Sequence, residues 1–268
     1  MKVRVTERSE VEKYYQNADV AEQYITKRFT DPLNVIEHQR QVDLLNKIIQ
    51  DKKCTAFLEF APGPARVTAE LNVENGTSIE SSPSMIKIAQ QRMKEKRKKW
   101  NFVLGDVFKL HNDKQLHKKY DLVFCFRFLL HFKYAERKAI YRQAHTALKE
   151  NGHLVFEVMN KNTVLPLRRI LGKRRYFVYD KLYNKKEFIR EMEENGFQVV
   201  ALHPVLTHFW LQTVLSRPLK MLGMRTMAEK SIALLEKFLS TQPYEWIAVC
   251  RKQQRTSELQ KTSETRKE

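Results

Sequence analysis

The amino-acid sequence predicts an α/β fold: a mostly parallel sheet of seven strands with helices on both faces. Three observations carry the prediction. Apolar runs short enough for buried strands alternate with amphipathic helical stretches between residues 56 and 160. Parallel neighbours require crossovers, and those helical stretches supply them. A hydrophobic content of 42% in 268 residues is enough for one large core carrying elaborations.

The first fifty residues are helical rather than strand-like. VEKYYQNADVAEQYITKRF and NVIEHQRQVDLLNKII both space apolar side chains three and four residues apart, and Asp31-Pro32 separates them. AFLEFA is the first strand, followed by the turn PGPA and a short helix over residues 66–71. GTSIES is the second strand. SPSMIKIAQQRMKEKRKK then forms a helix with Ser82 as its N-cap and Pro83 as its first residue. NFVLGD and DLVFCF supply strands three and four. Residues 134–150 form an amphipathic helix that Asn151-Gly152 ends as a C-cap, and HLVFEVM is strand five. NKKEFIREMEENGF is a further helix with a glycine stop, QVVALHPV is strand six, and YEWIAVCRK is a last strand that pairs antiparallel. The connection between those two strands, residues 206–241, is mostly helical and too long for a hairpin loop. The chain thus divides into an N-terminal helical lid (1–52), a core (53–252) that includes this insertion, and a disordered charged tail (253–268).

Lysine and arginine number 49 against 31 acidic residues, a formal charge of +18. That balance favours phosphates, an anionic membrane surface, RNA or acidic substrates, and says nothing about fold. The charge gathers in MKEKRKKW, in LRRILGKRRY and in the tail, where a solvated face is the ordinary explanation. No apolar run approaches the roughly 20 residues of a membrane span, and MKVRVTERSE lacks a signal-like apolar stretch. A cytoplasmic protein, at most peripheral to a membrane, is expected. Cys54, Cys125 and Cys250 show no ligand spacing and read as reduced packing residues; no metal is expected.

The first strand ends in Glu59 and runs through Phe60, Ala61, Pro62, Gly63, Pro64 and Ala65. A carboxylate follows strand two at Glu80, in SIESSPSMIKIAQQR. Gly105-Asp106 follows strand three, and strand four continues into Phe126, Arg127 and His131. In this order the segments resemble the class I S-adenosylmethionine-dependent methyltransferases, in particular the small-molecule group related to ubiquinone and menaquinone enzymes. The resemblance covers residues 14–252 and is strongest over 57–159. It implies a Rossmann-like fold with S-adenosyl-L-methionine as cofactor.

On that resemblance, Glu59, Ala61 and Gly63 belong to the E/D-x-G-x-G-x-G loop, with alanine at two glycine places, Ala61 and Ala65. Alanine fits there if the backbone φ is negative. Glu80 would hold the ribose and Met85 pack on the adenine; Asp106 would meet the adenine amino group and Val107 donate its N–H to the ring. Phe126 faces the site at the end of strand four. Arg127 would hold an anionic substrate or the cofactor carboxylate, and His131 is the candidate general base. Tyr24 and Arg28, one helical turn apart in AEQYITKRF, match the lid of such enzymes.

The implied reaction is in-line methyl transfer to a small or lipid-like acceptor. An RNA-binding or RNA-modifying methyltransferase is the alternative raised by the charge, though CFRF stands where base N-methylating enzymes carry D/N-P-P-Y/F. A dinucleotide oxidoreductase fails at two of three fingerprint positions, where Ala61 and Arg66 stand. A non-catalytic binding protein that kept the sheet is the third alternative.

Overall fold

The computed structural model describes residues 30–171, 178–238, 240 and 242–253, with isolated positions 9, 10 and 13. Helix α1 (Pro32–Asp51) has Asp31 as N-cap, accepting the Leu33 N–H, and Pro32 in its first turn. Then follow β1 (Phe57–Phe60), β2 (Asn75–Glu80), α2 (Pro83–Glu95), β3 (Lys99–Leu104) and β4 (Tyr120–Cys125). The second half holds α3 (Tyr134–Ala147), β5 (Leu148–Met159), α4 (Lys161–Leu171), α5 (Lys185–Glu194) and β6 (Phe197–Val205). A hairpin of α6 (Phe209–Met221) and α7 (Arg225–Leu235) leads into β7 (Glu245–Lys252).

The seven strands form one sheet in the order β3-β2-β1-β4-β5-β7-β6. All pairs from β3 to β5 are parallel, and β7 runs antiparallel to both its neighbours. This is the expected mostly parallel Rossmann-like sheet. Because side chains alternate along a strand, β1 sends Leu58 and Phe60 to one face and Phe57 to the other. The first face packs on α3 and α5 through Ile140, Tyr141, Phe188 and Met192. The second packs on α1, α6 and α7 through Leu45, Ile48, Phe209 and Ile232.

Three details differ from the sequence reading. The stretch expected as a helix at 66–71 is a 3-10 turn over Thr68–Glu70. Helix α3 stops at Ala147, where Leu148 turns extended. Asn151-Gly152 therefore lies inside β5, at the irregularity where its register against β4 shifts, and not at a helix end. Asn151 still takes the left-handed conformation (φ 63°) that suggested a cap. Of the expected lid, the described part is α1, which packs on the sheet; the tail beyond Gln253 lies outside the described residues. Cys54, Cys125 and Cys250 are buried thiols.

Candidate active site

The carboxyl ends of β1, β2 and β4 open onto a cavity whose empty space, open solvent included, is about 820 Å³. Parallel strands generate such a crevice where the connections leave the sheet on opposite sides. Its walls are the loop after β1 (Ala61 to Pro64, Arg66), Glu80 and Met85 around the start of α2, and Phe126, Arg127, Phe128, His131 and Phe132 after β4.

The loop adopts an alternating backbone. Ala61, Gly63 and Ala65 have φ of 49°, 56° and 54°, all left-handed, with prolines between them. The condition under which alanine fits without strain, a negative φ, is thus not met: both alanines hold the conformation that glycine would, at a cost of about 1–2 kcal/mol each. Packing accounts for one of them, since Ala65 is fully buried against Ala69, Ala89 and Met93. Ala61→Gly is expected to stabilise the protein by about 0.5–1 kcal/mol, the relieved strain less the added chain entropy. Ala65→Gly also loses a buried methyl, about 0.8 kcal/mol, and should gain nothing. Urea denaturation midpoints of the two variants test this contrast.

Glu80 holds this loop. Its Oε2 accepts the Gly63 N–H at 3.0 Å and its Oε1 accepts the Ser82 N–H at 2.9 Å. Ser82 in turn caps α2, accepting the Met85 N–H. Beneath, Glu59 accepts from Thr68 Oγ1, and from Ser78 Oγ at 3.1 Å. Burial pushes the Glu59 carboxyl up to about 7, against those hydrogen bonds. Glu157, also fully buried, is pushed up to about 7; its Oε1 accepts the Arg127 N–H at 2.5 Å. Burial raises Glu245 well above the carboxylate range, although Gln41 Nε2 donates to it at 2.8 Å.

These shifts set a sign for pH. A carboxyl raised in the folded state contributes stability that is full below its ordinary range and is lost as pH rises through about 7. Glu59→Gln, which mimics the protonated acid, should therefore gain on the wild type as pH rises from about 5 to about 8. Melting curves of both proteins across that range would show the gap opening; a gap constant with pH would refute it.

Arg66 joins the loop to α1. Its Nη2 donates to Gln41 Oε1 at 2.7 Å, its Nη1 lies 2.5 Å from His38 Nδ1, and His38 Nε2 lies 3.2 Å from Glu70 Oε2. On the opposite wall His131 is buried, with Nδ1 3.0 Å from Asp180 Oδ1 and 3.1 Å from the Tyr179 carbonyl. Arg168 of α4 pairs with the other Asp180 oxygen. Burial opposes ionisation of Asp180, yet the hydrogen bond with His131 and the nearby cations hold its carboxyl well below the usual range. An ionised Asp180 orients the imidazole and favours a proton on Nδ1.

The cavity lining thus includes Glu59, Ala61, Gly63, Glu80, Met85, Phe126, Arg127 and His131 from three separate strand ends. Asp106 and Val107 are not in that lining: Asp106 caps the 3-10 turn over Val107–Asn112, accepting the Phe108 N–H at 2.9 Å. Tyr24 and Arg28 lie outside the described residues. Sequence reasoning missed Asp180 and Arg168, which are remote from His131 in the chain and lie around the basic run already noted. No group of metal-binding side chains occurs among the described residues.

A methyltransferase-domain family profile matches residues 36–202, more than half of the chain. The chain belongs to this family, the class I S-adenosylmethionine-dependent methyltransferases. Solved structures share the fold of this methyltransferase at low identity. Magnesium protoporphyrin IX methyltransferase from Synechocystis PCC 6803, with bound SAH, superposes with a TM-score of 0.64 at 15% identity, over 92% of this chain and 100% of that one. An S-adenosylmethionine-dependent methyltransferase from Clostridium acetobutylicum gives 0.57 at 10% identity, covering 81% and 92%. The PH0226 protein of Pyrococcus horikoshii gives 0.58 at 16%, covering 86% and 99%. None of the curated proteins matches the sequence.

Proposed function

We propose that this methyltransferase holds S-adenosylmethionine in the cavity at the β1, β2 and β4 ends and methylates a hydroxyl of a small or lipid-like acceptor. The observation that carries the reading is the convergence of Glu80, the left-handed loop and the His131–Asp180 pair on one cavity. The residues suit that cofactor. Glu80 is a carboxylate for the ribose diol, Met85 and Phe126 are apolar walls for the adenine, and Arg66 and Arg127 are cations for a carboxylate.

When bound, S-adenosylmethionine supplies an electrophilic methyl group on a sulfonium. The chain's own residues supply alignment and dryness, because Phe126, Phe128 and Phe132 keep water from the reacting centre. His131 would take the proton of the acceptor hydroxyl, and Asp180 would stabilise the resulting imidazolium.

Calorimetric titration with S-adenosylmethionine and S-adenosylhomocysteine, with NADH as control, tests the cofactor site. Micromolar binding of the first two and none of the third is expected; no binding of either would sink the proposal. The acceptor is sought with labelled methyl donor and a panel of hydroxyl, carboxyl and amine compounds. His131→Gln should slow transfer to a hydroxyl while leaving donor affinity unchanged, and an undiminished rate would remove His131 from the chemistry.

A further inference from the structure

Helix α6 is amphipathic in the inverted sense. It buries Gln212, Thr213 and Ser216 beside Phe209, and exposes Trp210, Leu211, Val214 and Leu215. A helix on a water-facing surface does the opposite. The donors of these buried side chains are used: Gln212 Nε2 donates to Glu236 Oε1 at 2.6 Å, Thr213 Oγ1 to the Phe209 carbonyl at 2.7 Å, and Ser216 Oγ to the Thr213 carbonyl at 3.4 Å. Gln212 holds α6 on α7, donating to the Ile232 carbonyl and to Glu236, and the apolar side chains are left outward.

The pattern continues over the hairpin tip. Met221 is 88% exposed and Leu222 73%, both just before Gly223, which completes the turn at φ 74°. Loop tips ordinarily carry small polar residues. Of the fourteen large apolar side chains exposed among the described residues, ten lie between 210 and 238, so the exposed apolar surface is concentrated on this hairpin.

We infer that the α6–α7 hairpin docks this methyltransferase on an anionic lipid bilayer, with the tip entering the acyl boundary. Charge decides between possible occupants. The hairpin carries Arg217, Lys220, Arg225, Lys230 and Lys237 against two carboxylates. Of those two, Glu236 is tied up by Thr207 and Gln212, and Glu229 pairs with Arg225, while Lys220 pairs with Asp31; Arg217, Lys230 and Lys237 are left as the excess positive charge. Exposed apolar residues on a segment with excess cations match acidic headgroups over acyl chains. A second copy of a chain of charge +18 would be repelled from the same face. No described helix is long and apolar enough to cross a membrane, so the contact is with the surface.

Topology gives the docking a direction. Lys220, one residue from the tip, pairs with Asp31 at 2.6 Å, and Asp31 caps the N-terminus of α1. Helix α1 runs antiparallel to β1, with His38 and Gln41 reaching Arg66 on the cavity wall and Ile49 packed near the start of β1. The tip therefore lies at the end of the sheet that carries the cavity.

Sedimentation of the full chain with vesicles, without methyl donor, tests this independently of the catalytic proposal. Binding is expected to equimolar phosphatidylcholine and phosphatidylglycerol, and to be much weaker with phosphatidylcholine alone. Met221→Glu/Leu222→Glu should weaken it about tenfold or more at an unchanged melting temperature, since both side chains are exposed. Arg217→Glu/Lys230→Glu should remove the preference for the acidic lipid. Wild-type protein left in the supernatant with both vesicles would overturn the inference, as would a tip variant that binds normally. Light scattering that shows a dimer dissolved by the tip substitutions would assign the face to a second copy instead.

Discussion

Alanine in place of Glu80 is expected to weaken S-adenosylmethionine binding by about 3 kcal/mol, roughly a hundredfold in Kd. Two losses combine. The carboxylate proposed to accept from the ribose hydroxyls disappears, and charge-assisted hydrogen bonds are the strong ones. The Gly63 and Ser82 N–H groups also lose their acceptor, so the loop and the first turn of α2 lose their common anchor. Glu80→Gln should fall between, because one carbonyl oxygen cannot serve both N–H groups. Calorimetry of the three proteins reads the effect. Unchanged affinity in Glu80→Ala would detach this residue from the ribose.

The second large effect concerns folding. Arg137 of α3 and Glu191 of α5 form a buried two-pronged pair, with Nε to Oε1 and Nη2 to Oε2 both at 2.8 Å. Tyr141 and Tyr183 donate to the same carboxylate at 2.9 and 2.6 Å, and Arg137 Nη1 donates to the Phe132 carbonyl at 2.6 Å. Arg137→Ala is expected to cost about 3–5 kcal/mol, because it strands a buried charge. Arg137→Met with Glu191→Leu should recover only part of that loss, since it removes both ions but leaves the buried Tyr141 and Tyr183 hydroxyls without their acceptor. Burial raises the Glu191 carboxyl, but Arg137 and the tyrosines together hold it below its ordinary value. Its contribution is therefore present above the ordinary carboxylate range and is lost as pH falls through the lowered value. Urea unfolding of both variants measures the cost; an Arg137→Ala protein as stable as the wild type would show the pair to be dispensable.

Much of the sheet was legible because buried strands leave short apolar runs whose ends are marked by Glu59, Glu80 and the Gly105-Asp106 turn. Helix α2 was legible down to its cap, since Ser82 and Pro83 are local signals. Asn151-Gly152 misled because a left-handed Asn suits a strand irregularity as well as a helix end. The site divided in the same way. Residues at strand ends announce themselves, so Glu80, Phe126 and Arg127 could be placed on the cavity from the chain alone. Asp180 could not, because its relation to His131 is made by the return of the chain after α4 and leaves no periodic trace. The inverted face of α6 was hidden for a related reason: a run rich in Leu, Met and aromatics looks like core until its burial is known.

The loop after β1 carries one more consequence. A glycine-rich loop samples many shapes and is frozen each time a ligand arrives. Here Pro62 and Pro64 fix two φ angles, and Ala61 and Ala65 each sit in a narrow well, so most of the freezing is done once, at folding. Binding to such a preorganised cradle gives up little chain entropy. Its temperature dependence should then reflect the ligand's own desolvation, and ligand exchange should proceed without the loop having to open and re-form.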